Sequence, residues 1–449
     1  MVENTTEAKQ LREETMMMNM GPSHPAMHGI IRIVLELDGE RVVNSDVEIG
    51  YLHRCFEKSA EQSGYLQVIP YTDRLNYVSP LINNVGYCLA VEKLFGIQVT
   101  ERCAYIRVIM SELSRVCDHL TCIGANAMEL GAFTAFLYMM KAREFLWQAI
   151  EMVTGARLTI SYVRPGGVKG DLPQGFEEIT RKAIKETREV LKESHALLTK
   201  NRIFVDRLKN VGILTKEMAL AYGITGPFLR GSGIDFDVRK NTPYLIYDKL
   251  DFDIPVGTIG DNYDRYLCRM EEMEQSLRIV EQCLAKMPKG NIQVDMQGRE
   301  INAAQMVDDA KLGKTEGLIH MDVRPCPTLE GANGVQYDVV QTKERRAILP
   351  SKEDTYGSIE GLMNHFKLVM DNFGIRPPKG EVYQAVEGGN GELGFYVISD
   401  GTGTPYRVRV RPPCFPIMAA LSPLINGGLV SDIVATFGSV NMIGGELDR

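Results

Sequence analysis

Paired cysteines are what this chain of 449 residues most conspicuously lacks: nine cysteines are scattered along it, none in a Cys-x-x-Cys pair. That spacing makes no disulfide framework and supplies no zinc or iron–sulfur ligand set, so a reducing compartment is expected. Positive charge is also short. Fifty Lys+Arg against 58 Asp+Glu leave a net charge of -8, the wrong sign for a nucleic-acid partner. The opening MVENTTEAKQLREETMMMNM has neither the basic flank nor the apolar core of a signal peptide. Clean apolar runs are missing too. Leu120 to Met140 carries one charge, Glu129, but contains Gly124, Asn126 and Gly131, and Pro412 to Ser431 is broken by Pro416, Pro423, Gly427 and Gly428. Both read as buried segments of a soluble protein and not as membrane spans. LRGSGIDFD lacks the GxGxxG and Gly-Lys-Ser/Thr nucleotide signatures, and no GxSxG or HExxH motif occurs.

What is present organises the chain. Residues 30–50 alternate apolar and polar around Asp38-Gly39, which predicts an antiparallel hairpin. From about residue 52, apolar residues fall three and four apart through VGYCLAVEKLFG, IRVIMSELSRVCDHLTCIGANAMEL and AREFLWQAIEMVTGAR, the helical period. EEITRKAIKETREVLKESHALLTK and DRYLCRMEEMEQSLRIVEQCLAKM predict two long amphipathic helices with a solvated face, the second stopped by Pro288 and Gly290. VYQAVEGGNGELGFYVISDGTGTPYRVRVRPP reads as three short strands with glycine turns. The fold class expected is α+β, a central helical bundle flanked by small antiparallel β parts. The expected divisions are a flexible N-terminal arm over 1–20, a β part with a site loop over 21–51, a helical core over 52–295, an insertion or excursion over 296–350, and an α/β part over 351–449.

Three places concentrate chemistry. GPSHPAMHG, residues 21–29, holds His24 and His28 four apart in a Gly/Pro-rich segment. Pro25 disfavours the regular helix that would make them a metal-ligand pair. Two readings stand: a tight turn before the first strand, or a binding loop whose imidazoles hydrogen-bond or protonate an oxygen near neutral pH. YLQVIPYTDRLNYVSP gathers Tyr71, Asp73, Arg74 and Tyr77 ahead of a helix, either packed with bonded hydroxyls or poised to bind an oxygen. Glu129, the lone charge in its run, must be paired or have a perturbed pKa. That leaves a structural ion pair and a functional carboxylate as the alternatives.

Taken in order, GPSHPAMHG, EIGYLHRCFEK, YLQVIPYTDRLNY, GARLTISYVRPGGVKGDLP, LRGSGIDFDVRK, PVGTIGDNYDRYLCRMEEM, PYRVRVRPP and the terminal GGELDR resemble the D-subunit family of bacterial NADH-quinone oxidoreductases, the quinone-site subunits of respiratory complex I. The resemblance runs from about residue 20 to the end, apart from much of 296–350. It implies a fold similar to the large subunit of [NiFe] hydrogenases. Those proteins hold their metals with two Cys-x-x-Cys pairs that this chain lacks both around Val68 to Asn76 and near its C-terminus. Without those soft thiolates a hydrogenase activity is not expected, and the vacated pocket becomes a quinone cavity.

By the same resemblance His28 and Tyr77 bind the quinone headgroup and His24 supports their loop. Glu129 stands where the family usually has an aspartate paired with that histidine. Arg74 lies near the terminal [4Fe-4S] cluster of a partner subunit, and Arg54 matches an arginine methylated in some relatives. Thr159 replaces a histidine that many members keep near the cluster, which removes a titrating group and suggests a lower-potential quinone. The implied substrate is ubiquinone or menaquinone, with no metal or nucleotide held by this chain. The implied partners are the iron-sulfur small subunit, other peripheral-arm subunits and a membrane-arm subunit at the quinone entrance. The implied place is the cytoplasmic side of the bacterial inner membrane, as a peripheral protein.

Overall fold

The computed structural model describes residues 15–294, 296, 298, 300, 352–369 and 374–449. The excursion expected over 296–350 therefore lies almost wholly outside the described residues. The fold is organised by one helix, Glu101–Glu129. Thr100 caps it by accepting the Cys103 N–H, satisfying one of the donors a helix leaves bare at its start. At about 1.5 Å per residue it runs for roughly 43 Å. It stops where Gly131, at φ +91°, turns the chain, so the apolar run from Leu120 to Met140 is divided between this helix and the next, Phe133–Thr154. Most of its side chains are buried, from Cys103 to Ala127. Packed on it are Phe133–Thr154, Pro80–Phe95, Asn262–Lys286 and Val430–Val440.

Two antiparallel sheets flank this bundle. The first has strand order β1 (Met16–Met20), β2 (Arg32–Asp38), β3 (Arg41–Glu48). The β2–β3 hairpin closes at Asp38 and Gly39, the latter at φ +61°, where glycine avoids the left-handed penalty. Alternate residues Ile33, Leu35 and Leu37 are buried, as a one-sided strand requires. The arm expected over 1–20 is corrected at its end. Met16–Met20 pairs with β2 from Met16↔Leu37 to Met20↔Ile33, because a third strand covers backbone groups that the hairpin would leave open. Residues 1–14 lie outside the described residues. Later in the chain come the two-residue strands β4 (Val163–Arg164) and β5 (Gly167–Val168). The second flanking sheet joins β6 (Gly380–Glu387), β7 (Glu392–Ser399) and β8 (Arg407–Arg411), the three strands expected there. It lies close against Pro80–Phe95. A Cβ on Gly86 would meet Val386 Cγ2 at 2.9 Å and Phe395 Cε2 at 3.0 Å.

Two hydrophobic cores result. The larger joins the helical bundle to the second sheet. The smaller joins the turn that holds Met27, and the first sheet through Ile33 and Leu35, to C-terminal residues Ile417, Ile433, Phe437 and Ile443. Backbone contacts seal that union, with Val42 N–H donating to Gly428 O and Val430 N–H to Glu40 O. The two ends of the described chain thus meet, beside the C-terminal end of the central helix.

Asn262–Lys286 departs from expectation. A solvated charged face is predicted, yet Arg265, Arg269 and Glu272 are buried. Glu272 belongs to an ion network of Glu112, Arg115, His119, Arg230, Asp237, Arg239 and Glu387, all at most 1% exposed. Arg230 donates to Glu272 at 3.0 Å and to Glu387 at 2.8 Å. Arg239 donates to Asp237 at 2.7 Å and to Glu112 at 3.2 Å. Tyr247 adds a hydroxyl bond to Glu112 at 2.7 Å. Burial alone would raise Glu272, but Arg230, His119 and Arg239 outweigh it and hold the carboxyl well below its ordinary range. The stability Glu272 contributes is therefore present above that range and lost as pH falls through its depressed value. Breaking the network at one partner should be costly. Arg230→Met leaves Glu272, Glu387 and Asp237 without their shared cation, and we expect denaturant unfolding of the full chain to show a loss of about 3–5 kcal/mol. A loss within about 0.5 kcal/mol would mean the network is not coupled as drawn.

Candidate functional site

The loop 21–29 folds as a single 3-10 turn, Pro25–Met27. Pro25 starts it with its φ already fixed, and His24 caps it, Nδ1 accepting the Ala26 N–H at 3.2 Å. That bond leaves Nδ1 of His24 as an acceptor, so this ring shapes the loop. His28 follows at φ +54°, an uncommon conformation outside glycine that throws its ring away from the strand. The ring meets the end of the central helix, with His28 Nε2 3.0 Å from Glu129 Oε1. It also leans on Phe437, ring centroids 6.1 Å apart.

Glu129 is the last residue of its helix. A carboxylate there faces the negative end of the helix dipole, a position that favours cations. Its Oε2 is buried with no hydrogen-bond partner among the described residues, and it abuts Gly438, where a Cβ would stand 2.7 Å from that oxygen. Such an arrangement serves the helix poorly, so the compensating contact is the His28 imidazole. Asn126 Oδ1, also unsatisfied, lies 2.7 Å from the same Cβ position.

The second loop, Tyr71 to Ser79, precedes the helix Pro80–Phe95, which anchors it. Asn83 donates to the carbonyls of Thr72 and Asn76 at 3.0 and 2.9 Å, and Asn84 donates to Asp73 at 2.7 Å. Asp73 also accepts the Ser161 hydroxyl at 2.5 Å, tying the 159–161 turn to this loop. Burial raises its pKa even against those hydrogen bonds. Asn76 and Ser79 both donate to Asp118 Oδ2, at 2.8 and 2.9 Å. So held, the loop presents Tyr71, Arg74 and Tyr77 outward, with Arg74 45% and Tyr77 37% exposed. Tyr77 forms no hydrogen bond among the described residues. Its pKa is raised, first by partial burial and then by Cys414 and Asp118, while Arg54 opposes them. Arg54 Nη2 donates to the Arg74 carbonyl at 2.6 Å. Thr159 is exposed, at φ +51°.

His28 and Glu129 are thus in direct contact. No hydrogen bond joins them to Tyr77. The two loops are related instead by the C-terminal segment, which touches both. Phe437 and Gly438 meet His28 and Glu129, and Gly445 is pressed so closely on Arg74 and Leu75 that a Cβ would lie 2.4 Å from Arg74 O. Glycine is required there by approach of backbone to backbone. Reading the sequence missed Asp118, Cys414, Asn441 and Glu446, which lie behind Tyr77. Their only signal is a carboxylate, Glu446, following two glycines after the largely apolar stretch 433–443.

Fold and site together define an α+β protein carrying an open surface of imidazole, carboxylate, phenol and guanidinium groups. Residues 129–324 and 328–449 match the family described as respiratory-chain NADH dehydrogenase, 49 Kd subunit, and the chain belongs to that family. It is 50% identical over 439 residues to a NADH-quinone oxidoreductase D subunit of Sorangium cellulosum, covering 98% of this chain and 96% of that relative. It is 47% identical to the D subunit of Myxococcus xanthus, covering 98% and 94%. Against the C/D subunit of Bdellovibrio bacteriovorus it is 45% identical over 98% of this chain and 70% of the relative. Among the described residues no group of three or more His, Cys, Asp or Glu is placed to hold a metal ion, and no helix is long and apolar enough to cross a membrane.

The fit of Gly438 against Glu129 and Asn126 is directly testable. Gly438→Ala should destabilise the chain by about 1–3 kcal/mol, as overpacking does. In combination with Glu129→Ala part of that cost should vanish, Asn126 Oδ1 remaining at 2.7 Å, with a coupling of at least about 0.5 kcal/mol in a double-mutant cycle. Strict additivity would separate Glu129 from Gly438.

Proposed function

We propose that this chain is the quinone-binding subunit of a proton-translocating NADH:quinone oxidoreductase, its substrate's headgroup reduced between His28 and Tyr77. The observation that carries this reading is the His28–Glu129 pair. A half-buried carboxylate at the wrong end of a helix holds an imidazole that is itself 44% exposed, and the Tyr77 loop presents a phenol with no hydrogen-bond partner among the described residues. An imidazole backed by a carboxylate and a phenol, both able to face one small molecule, suit a quinone, whose oxygens become basic as electrons arrive. The names of the relatives, NADH-quinone oxidoreductase D subunits, agree.

In this reading electrons reach the quinone from a [4Fe-4S] cluster in a neighbouring iron-sulfur small subunit. Arg74 and Arg54 lie on the exposed side of the Tyr77 loop, where fixed positive charge would favour the reduced form of a nearby cluster. Glu129 orients His28 and carries the electrostatic link toward the proton-pumping arm, and His24 keeps the loop in shape. The exposure of His28, Tyr71, Arg74 and Tyr77 supports a site completed by partners: the small subunit, other peripheral-arm subunits, and a membrane-arm subunit at the quinone entrance. A relative in which the C and D parts are one protein supports close association with a C-type partner. The chain would lie peripherally on the cytoplasmic side of the inner membrane, with the hydrogenase-like large-subunit fold and ubiquinone or menaquinone as its substrate.

In the assembled complex, Tyr77→Phe should slow quinone reduction at least about ten-fold, a barrier increase of about 1.4 kcal/mol, while NADH oxidation by an artificial acceptor is unchanged. Full quinone activity in that variant would refute the assignment. Threonine at 159 has no titrating group, so the midpoint potential of the adjacent cluster should stay flat between about pH 6 and 8, as suits a lower-potential quinone such as menaquinone. A slope in redox titrations over that interval would contradict it.

A further inference from the structure

Behind Tyr77 lies a buried polar chain that the proposed chemistry does not yet use. Asp118 Oδ1 accepts from Asn441 Nδ2 at 3.0 Å, and Asn441 Nδ2 also bonds Asn390 Oδ1 at 2.6 Å. Asn390 Nδ2 donates to Cys414 Sγ at 3.4 Å, and the Cys414 N–H donates to Glu446 Oε1 at 3.0 Å. The chain ends on Glu446, which is 2% exposed and makes no ion pair among the described residues. Its neighbour Gly445 rests on the backbone of Arg74 and Leu75, two residues before Tyr77. Asp118 holds the same loop through Asn76 and Ser79. The charged and titrating groups that act on Tyr77 are Cys414, Asp118, Arg54 and Glu446. Those acting on Glu446 are Cys414, Asp118 and Arg411.

A carboxylate buried without a cation is costly, and the usual relief is to keep its proton. Burial in fact pushes Glu446 up to about 7, even though Arg411 and hydrogen bonds from Cys414 oppose the rise. Burial and the nearby Glu446 push the Cys414 thiol well above its usual value, so that thiol stays protonated. Asp118 has both oxygens engaged by amide and hydroxyl donors, Asn441 on one and Asn76 and Ser79 on the other. Glu446 is the member of this set that holds a proton it can release near neutral pH.

We infer that Glu446 is a positioning residue for the proton of Tyr77, storing the proton that restores the phenol after each turnover. The inference rests on the reading of Tyr77 as a headgroup donor. Quinone takes up two electrons, one at a time, from the partner subunit's cluster, and two protons. One proton comes from Tyr77: its O–H bond breaks, a new O–H bond forms on the quinone oxygen, and the phenolate keeps the bonding pair. The other is delivered at His28, whose ring N–H bond breaks as the second quinone O–H bond forms and whose exposed ring takes a replacement proton from solvent. Glu446 then gives up its carboxyl proton to the phenolate and is left as a carboxylate. A proton from bulk water restores it.

The test is the rate of quinone reduction by the assembled complex across about pH 6 to 8. Wild type should slow as pH rises through about 7. Glu446→Gln keeps an oxygen for the Cys414 N–H but has no acidic proton. It should be slower by about ten-fold at the low end and lack that slope, with artificial-acceptor activity retained. Glu446→Asp should recover both rate and slope. A Glu446→Gln complex with wild-type rate and slope would overturn the inference. If Tyr77→Phe also keeps full quinone activity, the underlying site reading has failed; if Tyr77→Phe is slow, only the role of Glu446 has. Should Glu446→Gln fail to assemble, infrared spectra of the wild-type complex decide. A protonated-carboxyl band that disappears near pH 7 and shifts in Glu446→Asp supports the proposal. A carboxylate already ionised at the low end overturns it.

Discussion

Taking an arginine or a carboxylate out of water costs several kcal/mol per ion after relaxation, and only complete pairing recovers it. This protein accepts that cost repeatedly along one helix. Glu112, Arg115 and His119 of the central helix face Arg230, Arg239, Glu272 and Glu387 from three other parts of the chain. None is more than 1% exposed. Each guanidinium serves two or more oxygens, and the planar fork of arginine suits that shared bidentate geometry better than lysine would. The consequence is registry. Apolar helices can slide or rotate against one another at modest expense, whereas a helix locked by this network has one axial position and one rotation.

That fixed position is what the site uses. The central helix carries Glu112 in the network, Asp118 beneath the Tyr77 loop and Glu129 against His28, so one rigid element sets the depth of both loops. The loops themselves are short, one holding Pro22 and Pro25 and the other lying between Pro70 and Pro80. The second is fastened by the buried polar groups Asn83, Asn84 and Asp118, the first by the His24 cap and the buried Ala26 and Met27. The remaining constraint comes from the chain's far end. Gly438 and Gly445 allow the last two helices to approach Glu129 and Arg74 more closely than any side chain would permit. Placement within a fraction of an ångström is what donors need if they are to meet the charge that develops on a reacting oxygen.

Much of this was legible in the residues, and the failures have a common cause. The hairpin at Asp38-Gly39, the three strands after residue 380 and the long helices are encoded by local period and turn chemistry, and the structure has them. His28, Glu129 and Tyr77 stood out locally, as an imidazole in a glycine- and proline-rich loop, a charge in an apolar run and a phenol at a helix entry. The buried face of Asn262–Lys286 was not legible. Periodicity counts a charged residue as exposed, and Arg265, Arg269 and Glu272 earn their burial from partners far away in sequence. Met16–Met20 was hidden for a similar reason, since its strand state is created by β2. The network behind Tyr77 joins residues 76, 118, 390, 414, 441 and 446, and no window of about 30 residues contains more than two of them.

Two of the carboxylates around this site illustrate how environment assigns roles to the same functional group. Glu129 has a ring nitrogen at 3.0 Å and lies at the rim, where one oxygen faces an imidazole that solvent or a ligand can reach. Its carboxylate can answer a change of charge on His28 at once, so it couples to whatever the histidine binds. Glu446 has no ion pair among the described residues and lies in the interior, where ionisation is met by hydrogen bonds from Cys414 and the more distant Arg411. Its easiest response is to exchange a proton. In the proposed quinone reduction, one carboxylate that senses charge and another that stores a proton would separate two requirements, electrostatic response and proton supply. Both stay tied to one backbone, because residues 437 to 446 touch each loop in turn.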